Sequence, residues 1–191
     1  MASFLSATQA FLGMGENKSI RQKIMPVASL VPLQKHIDQG LYQRGKDTQT
    51  PAVIHLQKES VTFKKKQPWR ITEEWIVQIT NESGLALFDE FSQPFIPGYD
   101  RLYVNSLKIY NQNFKLKNTG KQSDYYVTSE LKESLSAETQ LVHIPLKKIA
   151  LGDIIHLQFS RQSLAKSSYF PFIHHRASGS LPIGLDIFQV E

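Results

Sequence analysis

The chain has 191 residues, no cysteine, and a formal net charge of +5 from 22 Lys and Arg against 17 Asp and Glu. This length suits one domain with a substantial core, and 41% hydrophobic residues with 11 Phe, 7 Tyr and 2 Trp exclude wholesale disorder. The lack of Cys removes disulfides, thiolate nucleophiles and cysteine-ligated metal centres, and no apolar run approaches the ~18 residues of a membrane span.

Residues 1–50 read as an N-terminal arm or linker and residues 51–191 as a β-sandwich domain. Ala2–Gly15 is moderately apolar, but its first basic residue, Lys18, follows the apolar stretch, the reverse of the order in a secretory signal. The stretch is expected to be a short helix or a loosely held arm, and residues 34–51 form a polar, Gly-containing loop that ends at Pro51. The basic charge belongs to the first third of the chain. Residues 1–50 carry a net +3, residues 51–70 a net +4, and the remainder a net −2.

From Pro51 onward the hydrophobic pattern has period two. Ala52–Gln57 and Ser60–Lys64 are expected as two short strands, followed by a long one over Trp69–Thr80. There Trp69, Ile71, Trp75, Val77 and Ile79 share a face, with Glu73 and Ile76 as the two exceptions. Asn81-Glu82-Ser83-Gly84 supplies a turn, after which Leu85–Phe91 is expected to resume as strand. Further strands are predicted over Arg101–Tyr110, Phe114–Lys117, Tyr125–Ser129, Leu141–Leu146, Ile154–Arg161 and Leu185–Val190, and a helix over Ser129–Thr139. Nine or ten short strands without intervening long helices predict an all-β antiparallel sandwich with little helix.

Several groupings could carry chemistry. None of the six histidines has a near neighbour at a metal-ligand spacing, and the adjacent His174 and His175 would point to opposite faces of a strand, so no metal or cofactor is expected. His143 and His156 fall opposite their apolar neighbours and are expected to face solvent. A Ser-His-Asp nucleophile lacks its Gly-x-Ser-x-Gly elbow, since Ser178-Gly179-Ser180 lies in a polar loop. Glu73, a carboxylate on an apolar face, is a functional-site cue, set against its placement at a sheet edge beside a Lys or Arg.

Two stretches stand out as interaction surfaces. Lys64, Lys65, Lys66, Trp69 and Arg70 place cations beside an aromatic ring, a combination suited to nucleic acid or acidic glycan. The competing reading is a hairpin turn whose lysines discourage edge-to-edge pairing. Tyr169–Arg176, which contains Phe170, Phe172, His174, His175 and Arg176, is either a partner-docking segment or a loop plugging one end of the sandwich.

The order of elements from Ala52 to Phe159 resembles a bacterial domain family of unknown function that sits N-terminal to transglutaminase-like domains. Ala52–Leu56 with Ser60–Phe63 is similar to its opening strands, Ile79–Gly84 to its strand-and-turn segment, and Leu146–Ile155, containing Leu151-Gly152-Asp153, to its late segment. The middle hairpin, Asp100–Lys117, departs from the family's turn by carrying Asn111-Gln112-Asn113. The resemblance implies a non-catalytic β-sandwich associated with a papain-like module in a periplasmic or cell-envelope protein. The nucleophile of such a module is a cysteine, which this chain lacks. The expectation is therefore a non-enzymatic interaction or accessory module with a protein partner or an adjoining transglutaminase-like domain. The alternatives are an anion binder at Lys64–Arg70 and a hydrolase built on Glu73 or His174-His175.

Overall fold

In the computed structural model of the chain, residues 37, 40, 49–130, 139–169, 171, 173, 175 and 180–191 are described. Among the described residues nine strands order themselves as β1 (Ala52–Thr62), β2 (Arg70–Ile79), β3 (Glu90–Phe95), β4 (Asp100–Tyr110), β5 (Leu116–Thr119), β6 (Tyr126–Glu130), β7 (Thr139–Pro145), β8 (Ile154–Ser163) and β9 (Asp186–Val190), and a short helix, α1 (Glu82–Leu87), lies between β2 and β3. They form a six-stranded sheet in the order β5-β4-β8-β2-β1-β9 and a three-stranded sheet in the order β3-β7-β6. Every pairing is antiparallel except β9 on β1, which is parallel. The all-β, two-sheet reading therefore holds, with a parallel edge strand as the exception.

The period-two pattern explains the packing. Val77 and Ile79 of β2, Ile155, Leu157 and Phe159 of β8, and Leu102 and Val104 of β4 meet Val142 and Ile144 of β7 in the main core between the sheets. Ile76, the residue out of phase on β2, is buried on the opposite face with Leu56, Ile154 and Ile37. The outer face of the large sheet thus has its own apolar cluster, and a single-face pattern could not register both.

Three local expectations are corrected. Ala52–Gln57 and Ser60–Lys64 are one strand. The irregularity is a bulge at His55, and Lys58 and Glu59 pair with Glu74 and Glu73 without a break. Of Leu85–Phe91 only Glu90 and Phe91 are strand, in β3, because the Asn81 side chain accepts the Gly84 N–H at 3.1 Å and starts α1, which runs to Leu87. Asn at an N-cap satisfies a helix donor that a turn would leave to water. Of the helix expected over Ser129–Thr139, Ser129 and Glu130 belong to β6 and Thr139 to β7, while 131–138 lie outside the described residues. Most of the expected N-terminal arm lies outside them too.

Two turns hold the sheet ends. A Cβ on Gly84 would sit 1.9 Å from the Pro51 carbonyl oxygen, so only glycine lets α1 approach the start of β1. Gly152 has φ +80°, the left-handed region glycine enters without strain. The Asp153 carboxylate that follows is buried, accepts the Ala150 N–H at 2.8 Å and pairs with the Lys117 ammonium.

Candidate functional site

Three connections meet where β1 and β8 end and β2 and β4 begin. In the first, Lys64–Gln67 form a turn closed by a Gln67 N–H to Lys64 carbonyl bond of 3.0 Å, with Lys66 at φ +62°. The Lys66 N–H donates to the Ser167 carbonyl at 2.6 Å, fastening this turn to the loop after β8. That loop is in turn tied to the β3–β4 connection, since the Leu164 N–H donates to the Tyr99 carbonyl at 2.8 Å. The Ile96 N–H donates to Asp100 Oδ1 at 2.7 Å and braces the third loop. Backbone bonds therefore join loops that are far apart in sequence into one surface.

This surface is cationic and aromatic. Lys64, Lys65, Lys66, Arg101 and Lys166 are exposed, and Arg70 and Trp69 are half-buried. Tyr99 is 69% and Tyr169 83% exposed, the two most exposed large apolar side chains among the described residues. No carboxylate among the described residues forms an ion pair with these cations. The basic run read from sequence is thus enlarged by Arg101, at the start of β4, and by Lys166, in the loop after β8.

The histidines behave differently from expectation. His156 is buried beneath the outer apolar cluster, with Nε2 2.7 Å from Glu74 Oε1. His143 is also mostly shielded. Its Nε2 lies 2.7 Å from Thr128 Oγ1, its Nδ1 engages Glu90, and its ring stacks on Tyr126 with centroids 4.5 Å apart. Both were expected at the solvent face, but neighbouring strands bring carboxylates beside them. Tyr126 and Ser92 also donate to Glu90, at 2.7 and 3.1 Å. Burial alone would raise the Glu90 carboxyl, but the hydrogen bonds from His143, Tyr126 and Ser92 outweigh it and hold the group below its usual range.

Thr128, His143 and Glu90 stand in the hydroxyl–imidazole–carboxylate order of a nucleophilic relay. They lie on the face of the small sheet turned away from the main core, where the His143 ring is stacked on Tyr126.

A second carboxylate group lies on the inner face. Glu73 sits on β2, a central strand, directly opposite Glu59 of β1, which corrects its expected place at a sheet edge. Burial pushes the Glu73 carboxyl up and the Glu59 charge adds to it, while a Trp75 indole N–H bond and the charges of Arg161 and His175 only partly oppose. His175 bridges the cluster, with Nδ1 2.8 Å from Glu59 Oε2 and Nε2 2.9 Å from Asp186 Oδ1. The bond to Glu59 raises its imidazole, burial opposes, and Asp186 adds to the rise, leaving the group above its ordinary value. His175 therefore clips the segment before β9 to β1. Among the described residues no three His, Asp or Glu side chains converge as a metal site. Phe170, Phe172, His174 and Arg176 lie outside the described residues.

An open cavity of about 270 Å³ lies between the β1–β2 half of the large sheet and β3. Its walls include Ile54, Trp75, Leu87, Phe88, Phe91 and Leu181, with Glu90 and Ser92 along one side. Sequence reading missed this groove and the Glu59–Glu73 pair, because both depend on strand register. The one available signal was Glu73 interrupting an apolar face.

Residues 65–186 match the sequence profile of a family described as a Domain of Unknown Function with solved-structure structure, DUF3857. A crystal structure from Parabacteroides distasonis ATCC 8503, described as a "putative protease", is similar at 12% identity with a TM-score of 0.54, over 63% of this chain and 24% of that one. The chain thus corresponds to about a quarter of that protein's length. The CBM3a-L domain with flanking linkers from scaffoldin cipA of the Clostridium thermocellum cellulosome aligns at 12% identity over 69% of this chain and 81% of that one, with a TM-score of only 0.38. No curated protein matches the chain.

Proposed function

The chain belongs to the DUF3857 family, and on that premise we propose that it is a non-catalytic interaction module that positions a neighbouring domain, of transglutaminase-like or related type, or a separate protein partner. The observation that carries this reading is the joined loop surface with Tyr99 and Tyr169 standing out among cations. Exposed tyrosine supplies contact area at low conformational cost, and Tyr and Arg are enriched where proteins meet. The resemblance to a quarter of a longer protein supports a fold that works as one part of a larger chain.

A second reading is favoured by Arg101 and Lys166 arriving beside Lys64, Lys65, Lys66 and Arg70. In that reading the same end binds a polyanion such as nucleic acid or acidic glycan, and its affinity falls steeply with salt.

Affinity capture at low and at ~500 mM salt separates the two, because exposed charge contacts are screened at the higher concentration. Under the first reading a protein is retained at high salt and lost on Tyr99→Ala with Tyr169→Ala. Nucleic acid or glycan released by salt, and by Lys64→Glu, Lys65→Glu and Lys66→Glu together, would replace it with the second.

A further inference from the structure

The small sheet ends on β3, whose far side pairs with no strand among the described residues. The direction of its backbone groups follows from one bond. The Leu146 N–H donates to the Asp89 carbonyl at 2.8 Å, which makes Asp89 and Leu146 a hydrogen-bonded pair. Antiparallel pairs alternate, so Phe91, Gln93 and Phe95 spend their backbone groups on β7, while Glu90, Ser92 and Pro94 turn theirs outward. Pro94, which has no N–H, falls on the outward set, as a proline inside a ladder must. Among the described residues nothing bonds to the outward N–H and C=O of Glu90 and Ser92.

These free groups repeat every second residue, about 6.8 Å apart, the spacing at which an added strand would present its own. The groove runs beside them. Phe88, Phe91, Trp75, Ile54 and Leu181 line it together with Glu90 and Ser92 themselves. A strand laid on β3 would thus bond through its backbone at Glu90 and Ser92 and lower an alternate side chain onto Trp75. At the start of the edge the Glu90 carboxylate is engaged by His143, Tyr126 and Ser92, while Asp89 is exposed and presents a negative charge to solvent.

We propose that the free edge of β3 and the adjoining groove form a receptor for an extended polypeptide segment. The segment carries an apolar side chain for the groove and a cationic residue for the Asp89–Glu90 end. The carboxylates select against an acidic segment, and the outward N–H and C=O groups select strand over helix. This site is separate from the loop surface and stands whether or not that surface binds a partner.

The test uses a ten-residue synthetic peptide with alternating Leu and Thr between terminal lysines. Its control is the same peptide N-methylated at alternate residues, which keeps the side chains and removes the pairing donors. Sub-millimolar binding is expected, with slowed amide exchange at Glu90 and Ser92 and a changed indole signal from Trp75. Ser92→Pro is expected to weaken binding about five- to tenfold, the worth of one lost backbone bond. Asp89→Asn is expected to weaken the lysine-flanked peptide about two- to fourfold.

No binding at about 1 mM, roughly 4 kcal/mol on the affinity scale, would overturn the proposal. Equal affinity for the N-methylated control would overturn it as well, and needs no variant to fold. A dimer of the free protein with Glu90 and Ser92 already protected would overturn it in favour of self-pairing.

Discussion

Gly84→Ala tests the packing that sets one wall of the groove. The added methyl would lie 1.9 Å from the Pro51 carbonyl oxygen and 2.8 Å from its carbon, both backbone atoms that no side-chain rotation can move. Relief requires α1 to shift away from the start of β1. That shift strains the 3.1 Å bond from the Thr80 N–H to the same Pro51 oxygen and the Asn81 cap on Gly84. Overpacking a filled site costs about 1–3 kcal/mol, and loosening one such bond adds about 0.5–1.5 kcal/mol. A total of about 2–4 kcal/mol corresponds to a fall in Tm of roughly 5–15 °C for a domain of this size. Thermal unfolding followed by circular dichroism reads it directly. Because Leu87 and Phe88 move with the helix, peptide affinity at the groove should fall as well. A Tm within about 1 °C of the parent would refute the close approach, since the shift scales as only 2–4 °C per kcal/mol.

Glu73→Gln should stabilise the protein at neutral pH and leave it nearly unchanged near pH 4. With a folded-state value above 4.5, the protonated carboxyl favours folding below that pH, and the contribution is lost as pH rises through the higher folded value. Denaturant midpoints at about pH 4 and pH 8 check the sign, and an equal shift at both would contradict the burial argument. His175→Ala should cost more at about pH 6 than at pH 9, because a folded value raised above 6.5 gives stability that is complete below 6.5 and lost on passing upward through it. The matching readout is faster amide exchange in β9 at the lower pH. Asp153→Ala removes a buried carboxylate that accepts the Ala150 N–H and pairs with the Lys117 ammonium, for a loss of about 1–3 kcal/mol, the worth of hydrogen bonds to a charged group. Chemical denaturation with an unchanged m-value would confirm that the loss lies in the native turn.

The segments resembling the family owe their residue choices to physics that the structure makes explicit. In Ile79–Gly84, Asn81 caps α1 and Gly84 admits the Pro51 carbonyl. In Leu151-Gly152-Asp153, the glycine takes a left-handed φ and the aspartate ties the turn to Lys117 of β5. The Asn81 cap and the left-handed Gly152 are short-range requirements, legible in the chain before any contact is known, whereas the Asp153–Lys117 pair spans 36 residues and needs the fold.

Alternation along the chain was enough to place most of the strands and the all-β class, though not the unbroken β1 or the helix at Glu82–Leu87. A strand's faces are fixed by neighbours two residues apart, so Trp75, Val77 and Ile79 announce a buried face wherever the strand goes. The sequence also determined the basic run at Lys64–Lys66, since charge can be counted without coordinates. Which side chains meet follows from the register and packing of strands distant in the chain. Glu59 and Glu73 are 14 residues apart and become neighbours through the register of β1 on β2. His156 finds Glu74 across 82 residues, and Arg101 and Lys166 join the lysine turn through loops that share backbone bonds. The free edge of β3 belongs to this second class as well. Whether a strand is central or terminal depends on where the others stop pairing, a property of the whole sheet that no window of the chain contains.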